Sequence, residues 1–170
     1  LDQLGGLAQR GQRVAVRQTL SGSDYGLLDD ETLEPRPDYW GSVLFKRLMG
    51  TDVLEASSQS ATLRSYAHCR PGGGTSVLLI NIDTGPVTAA VGALAWAEYD
   101  LYVLEASELT SQDVRLNGEA LVADGDGNLP PMDGEGRLAG DAAVVTLPAR
   151  SIAFISSARE CGAQVTGDRS

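Results

Sequence analysis

A chain of 170 residues that is 42% hydrophobic and 21% charged holds enough apolar material for one domain with a sizeable core, or for one compact domain plus part of another. Its 23 acidic residues outnumber 13 basic ones, for a formal net charge of -10. A surface that acidic repels polyanions, which sets nucleic acid aside as a partner and weighs against a heavily sulfated glycan. No run approaches the roughly 18 apolar residues needed to cross a bilayer as a helix. The chain opens at Leu1-Asp2-Gln3 with neither an initiator Met nor a signal-peptide core, the pattern expected of a piece of a longer product.

In chain order, Leu1 to Arg10 read as a helix tail, with Leu4, Leu7 and Ala8 on one face and Gly11 as its stop. Val14 to Thr19 form a short strand that runs into a turn-rich stretch, "RQTLSGSDYGLLD", from Arg17 to Asp29. Pro35-Arg36-Pro37 then sets up a helix over Tyr39 to Met49. Asp38 suits its N-cap or first turn, Val43, Leu44 and Leu48 give a buried stripe, Lys46 and Arg47 suit the C-terminal end of the dipole, and Gly50 stops it.

From Val53 the period changes to that of strands. Leu63 to Cys69 alternates, Gly72 to Gly74 turns the chain, and Thr75 to Asp83 contains the continuous apolar run Val77 to Ile80. Further strands are expected at Val87 to Ala93, Glu98 to Glu105, Val114 to Leu116, Ala120 to Ala123, Ala142 to Leu147 and Ser151 to Ser156. Asn117-Gly118 marks a tight hairpin, and Gly125 to Gly140 reads as a long surface connection. Many short strands with no helix between them predict an antiparallel β-sandwich over residues 53–170.

Residues 1–52 differ in kind. One strand bordered by two helical pieces has no sheet of its own, so either it completes a β/α domain whose body lies upstream, or it packs as a decoration on the sandwich. Cys69 and Cys161 lie 92 positions apart and leave three readings open at this point: a disulfide, two buried thiols, or metal or catalytic use. With a single histidine, His68, two thiols are too few for a convincing zinc site.

"LDQLG", "RQTLSGSDYGLLD" and "PRPDYWGSVLFKRLMG", followed by "LRSYAHC", "VLLIN" and "VRLNG", resemble in order the C-terminal part of the heparanase-like endo-β-glucuronidases (glycoside hydrolase family 79), with plant-type members nearer than the animal enzyme. That resemblance implies the last strand-helix unit of a (β/α)8 TIM barrel, an α/β element, followed by an all-β C-terminal antiparallel sandwich. Val14 to Thr19 would be the eighth barrel strand and Tyr39 to Met49 the eighth helix. It further implies that Gln18 and Tyr25 line the sugar subsite beside the cleavage point, with Gly22 matched loosely to a glycine whose backbone helps there. It implies a Cys69–Cys161 disulfide as well, and with it folding in the secretory pathway, for an extracellular, cell-surface, lysosomal or vacuolar destination.

A retaining glycosidase needs two carboxyl groups about 5 Å apart. By the resemblance both are glutamates upstream of Leu1. Asp24, Asp29, Asp30 and Glu31 read as loop acids rather than catalysts, and no Gly-x-Ser-x-Gly elbow is present. Arg17 is expected to make a structural ion pair, and His68 a local packing or hydrogen-bonding contact. The resulting expectation is a chain that is inactive alone, needs no metal or organic cofactor, and works with its upstream barrel, or an associated fragment, on a glucuronic-acid-containing glycan. The alternative is a noncatalytic hydrolase-like glycoprotein with a structural or carbohydrate-contact role.

Overall fold

The computed structural model describes residues 1–95 and 97–161. Two helices, α1 (Asp2–Gln9) and α2 (Pro37–Leu48), precede ten strands. These are β1 (Val53–Leu54), β2 (Leu63–Cys69), β3 (Thr75–Asn81), β4 (Val87–Val91), β5 (Glu98–Ala106), β6 (Val114–Leu116), β7 (Glu119–Ala120), β8 (Glu135–Leu138), β9 (Ala143–Leu147) and β10 (Ile152–Ser157). All pairings are antiparallel. One sheet runs β1-β2-β3-β10-β5-β6-β7, with β8 also on β5; β4 and β9 form a second, two-stranded sheet. The last strand therefore sits in the middle, with Phe154 opposite Leu78 on one side and Tyr102 on the other.

The central strands have no solvent face. Every residue of β3 is buried, and alternate side chains enter different cores. Val77 and Leu79 join Ala153, Ile155 and Leu101 beneath the small sheet's Ala89, Ala143, Val145 and Leu147. Leu78 and Ile80 join Phe154, Leu104 and Tyr66 beneath Trp40, Leu44 and Leu48 of α2. Each Val, Leu, Ile or Phe among them contributes roughly 1.5–3 kcal/mol on leaving water, so the continuous apolar run of β3 reflects cover on both faces. Asn81 fits there because it is satisfied: its Nδ2 donates to the carbonyls of Pro148 (2.7 Å) and Gly85 (2.9 Å).

Both helices lie against this sheet. The α2 stripe is Trp40, Leu44 and Leu48, at four-residue spacing; Val43 is only half-buried, so the tryptophan takes the place expected for it. Pro37 opens the helix, Arg36 is its N-cap and Asp38 lies in its first turn. On α1, the Tyr66 hydroxyl donates to Asp2 Oδ1 at 2.5 Å. Burial and that hydrogen bond push the phenol up to about 12.

Several expected elements differ. Val14 to Thr19 is neither strand nor helix and has no ladder partner among the described residues; Val14 is 68% and Val16 88% exposed. A backbone segment cannot be a strand without a neighbour to take its N–H and C=O groups. The strand expected at Ala120 to Ala123 is the two-residue β7, because only that much pairs with β6 across the Asn117–Gly118 hairpin. Both turn residues have positive φ, as that turn requires. The β4 strand stops at Val91, where a 3-10 turn follows. The expected connection from Gly125 to Gly140 contains β8 and buries Met132 in the core beside α2, held by a 3.4 Å hydrogen bond from Arg47 to the Met132 carbonyl.

Candidate functional site: the loop carrying Gln18, Gly22 and Tyr25

The segment after Val16 folds on itself. The amides of Leu27 and Leu28 donate to the carbonyls of Thr19 (3.2 Å) and Leu20 (2.8 Å), and Gly26 N–H donates to the Ser23 carbonyl at 2.8 Å. Ser23 to Gly26 is thus a tight turn at the tip of a short two-armed loop. Gln18 lies at the foot of one arm, next to the Thr19 anchor, and its peptide bond to Thr19 is cis. Tyr25 lies in the tip and is 57% exposed. Backbone pairing therefore joins the arms that carry Gln18 and Tyr25.

Gly22 behaves differently from the other two. With φ of +87° it turns the chain, and its N–H already donates to Asp30 Oδ1 at 2.6 Å. The next amide, of Ser23, donates to the same oxygen at 2.9 Å. The backbone donor that the resemblance assigns to a sugar is engaged within the loop.

Arginines tie the loop to its surroundings. Arg17 donates to the Tyr25 carbonyl (2.9 Å) and pairs with Asp38 of α2 at 2.5 Å. Arg36 donates to the Asp24 carbonyl and pairs with Asp29 at 3.2 Å. The amides of Thr32 and Glu31, then the Arg36 guanidinium and the Thr32 hydroxyl, bring the Asp29 carboxyl down to about 2. The Asp29 and Asp38 carboxylates are thus engaged in bracing the loop and linking it to α2.

Sequence reasoning read Asp30 as a loop acid and Arg36 as part of the approach to the helix, but missed that both brace the loop, and it missed Gly26. A Cβ on Gly26 would sit 3.0 Å from the Leu28 and Ser23 carbonyl oxygens and 3.2 Å from that of Leu20, so a side chain there would need those carbonyls to shift by a few tenths of an ångström. The Tyr-Gly pair between two polar stretches was the available signal.

His68, on β2, is 3% exposed. Its Nδ1 lies 2.6 Å from the Gly50 carbonyl. A carbonyl only accepts, so Nδ1 carries the hydrogen. The ring meets Phe45 edge-on at 5.8 Å, and a cavity of about 740 Å³ between α1, α2 and β1 borders His68 but none of Gln18, Gly22 or Tyr25. This is a packing role. Replacing His68 by Ala should cost about 2–3 kcal/mol, from the void and the lost acceptor partner. Urea unfolding checks it; a change below roughly 0.5 kcal/mol would show that the ring is not structural.

Cys69 and Cys161 are joined in a disulfide, with Cα atoms 5.4 Å apart, which ties the end of β2 to the segment after β10. Among the described residues no three of His, Cys, Asp and Glu gather as a metal site. Charge is uneven along the chain: the first 50 residues carry six basic and seven acidic side chains, the remaining 120 seven and sixteen.

No protein-family model matches the chain. Among curated proteins it is 33% identical over 165 residues to heparanase-like protein 3 of Arabidopsis thaliana, covering 78% of this chain and 31% of that protein. It is 34% identical over 136 residues to hyaluronoglucuronidase of Hirudo nipponia (71% and 28%). It is 32% identical over 155 residues to inactive heparanase-2 of Mus musculus (78% and 26%). Among solved structures, the GH51 arabinofuranosidase from Xanthomonas axonopodis pv. citri superposes with a TM-score of 0.62 at 17% identity, over 91% of this chain and 34% of that one, a likeness of fold. The chain spans about a third or less of the length of these proteins. With plant heparanase-like and glucuronidase relatives matched over most of its residues, the chain belongs to the heparanase-like family.

Proposed function

We propose that this chain is the C-terminal portion of a retaining glycoside hydrolase acting on glucuronic-acid-containing glycans or proteoglycans, with both catalytic glutamates in the preceding chain. Residues 1–52 then supply the last strand and helix of a (β/α)8 barrel, and residues 53–170 the sandwich beside it. The observation that carries the reading is the Val14 to Thr19 segment. Its apolar half, Val14 to Val16, is exposed, it has no strand partner among the described residues, and it leads straight into a braced loop bearing Gln18 and Tyr25. Residues that follow a barrel strand lie on the face where such enzymes do their chemistry.

In the whole protein one glutamic acid protonates the glycosidic oxygen while the other, as carboxylate, attacks the anomeric carbon; water then cleaves the glycosyl-enzyme bond and returns the proton. Gln18 donates its amide hydrogens to a sugar hydroxyl or the uronate, and the Tyr25 hydroxyl donates to the uronate. Neither step calls for a cofactor. The acidic excess lies after residue 50, so it bears on glycan that crosses the sandwich more than on the reacting sugar. The disulfide favours a secreted, cell-surface, lysosomal or vacuolar protein. None of the three asparagines heads an Asn-x-Ser/Thr triplet, so any N-linked glycan lies elsewhere in the protein.

The test is release of product from an aryl β-glucuronide. The full-length protein should turn it over and residues 1–170 alone should not. In the full-length protein Tyr25→Phe should lower kcat/KM by about 10- to 100-fold, the range for losing one hydrogen bond to a charged group. Turnover by residues 1–170, or a Tyr25→Phe enzyme equal to wild type, would refute the assignment. The similarity to inactive heparanase-2 favours a second reading, a noncatalytic protein of the same architecture. A full-length sequence lacking either glutamate would decide for it.

A further inference from the structure

We propose that Asp30 is a positioning residue for the sugar subsite, fixing the turn that presents Tyr25; the inference rests on the reading above of this loop as a substrate-facing rim. Its carboxylate oxygen Oδ1 accepts from two consecutive backbone amides, Gly22 at 2.6 Å and Ser23 at 2.9 Å. Successive amides converging on one anion form a nest, a backbone arrangement that holds negative charge well. The second of these residues begins the Ser23 to Gly26 turn, so Asp30 grips the turn at its first residue and Tyr25 rides two positions later.

The gripping residue is itself anchored. Next to it, Asp29 accepts from the amides of Glu31 and Thr32, both at 3.0 Å, and pairs with Arg36. Arg36 N–H meets the Leu27 carbonyl at 2.9 Å, and its guanidinium reaches back to the Asp24 carbonyl. A solvated acid would leave the amides of Gly22 and Ser23 to water. Here they are engaged, which stiffens the turn and removes two amides that would otherwise compete for a substrate carboxylate. Recognition of the uronate is thereby left to the side chains of Gln18 and Tyr25.

What Asp30 supplies to the turn is an oxygen acceptor placed between the two amides. Asp30→Asn keeps a carbonyl oxygen where Oδ1 stands, and Asp30→Ala keeps none. Hydrogen exchange of peptides spanning residues 19–28, measured on the full-length protein, reads the turn without reference to activity. Asp30→Ala should speed exchange there by about tenfold or more, and Asp30→Asn should stay near wild type. On an aryl β-glucuronide, Asp30→Ala should raise KM about tenfold with kcat within about threefold, and Asp30→Asn should restore it. Unchanged exchange in Asp30→Ala, failure of Asp30→Asn to restore either readout, or a collapse of kcat at unaltered KM would overturn the proposal. A wild-type protein that cleaves no glucuronide, while Asp30→Ala still frees the turn, would sink the hydrolase reading and leave Asp30's hold on the Tyr25 turn standing.

Discussion

Replacing Cys69 and Cys161 together by serine should lower the melting temperature by about 10 °C or more. The bond closes a loop of 92 residues, and the chain-entropy model puts the cost of losing that constraint at about 4–5 kcal/mol. For a protein of this size, each kcal/mol moves the midpoint by roughly 2–4 °C. The position of the link reinforces the estimate. It joins the end of β2 to the segment following β10, and those strands flank β3 in the sheet, so reduction frees the end of a central strand rather than a loop tip. Thermal unfolding followed by circular dichroism, with and without reductant, is the check. A midpoint that shifts by less than about 3 °C would mean that the cores alone hold the chain together.

Trp40→Ala should cost about 3–5 kcal/mol, the range for removing a large aromatic ring from a closed core. Trp40 is 1% exposed and shares one cluster with Leu44 and Leu48 of its own helix and Leu78, Ile80 and Phe154 of the sheet. Its loss leaves a void on the face that joins α2 to the sheet, and α2 also carries Asp38, the partner of Arg17. The damage should therefore reach the Tyr25 loop. Tyr39, half-buried and in edge-on contact with Trp40 at 5.6 Å, is the control: truncating it should cost clearly less. Denaturant unfolding with an unchanged m-value measures both. Equal losses at the two positions would contradict the packing described for α2.

The strand pattern was legible because its period is local. Leu63 to Cys69 and Val114 to Leu116 were read to the residue, since alternation or a turn bounded each end. The missed strand, Glu135 to Leu138, has every residue exposed and sits among Gly, Pro and Asp; it exists only because β5 offers an open edge there, which no local period reveals. Met132 was likewise hidden, as one apolar residue in a polar stretch that tertiary packing draws into the core. For Val14 to Thr19 the local apolar signal at Val14 to Val16 did not suffice, because pairing is a property of two segments and no partner for it lies among the described residues. In the candidate loop, the family resemblance pointed to Gln18 and Tyr25, whereas the braces at Asp30 and Arg36 depend on contacts made seven to twelve positions away.

The lopsided distribution of acids has an orientational consequence. An anionic polymer drifting toward this chain meets a repulsive field over the strand-rich part and a nearly balanced one over the helical part, so collisions through the latter are favoured. Such guidance acts at distances comparable to the Debye length, about 8 Å at physiological ionic strength, and fades as salt is added. Neutral oligosaccharides would feel none of it.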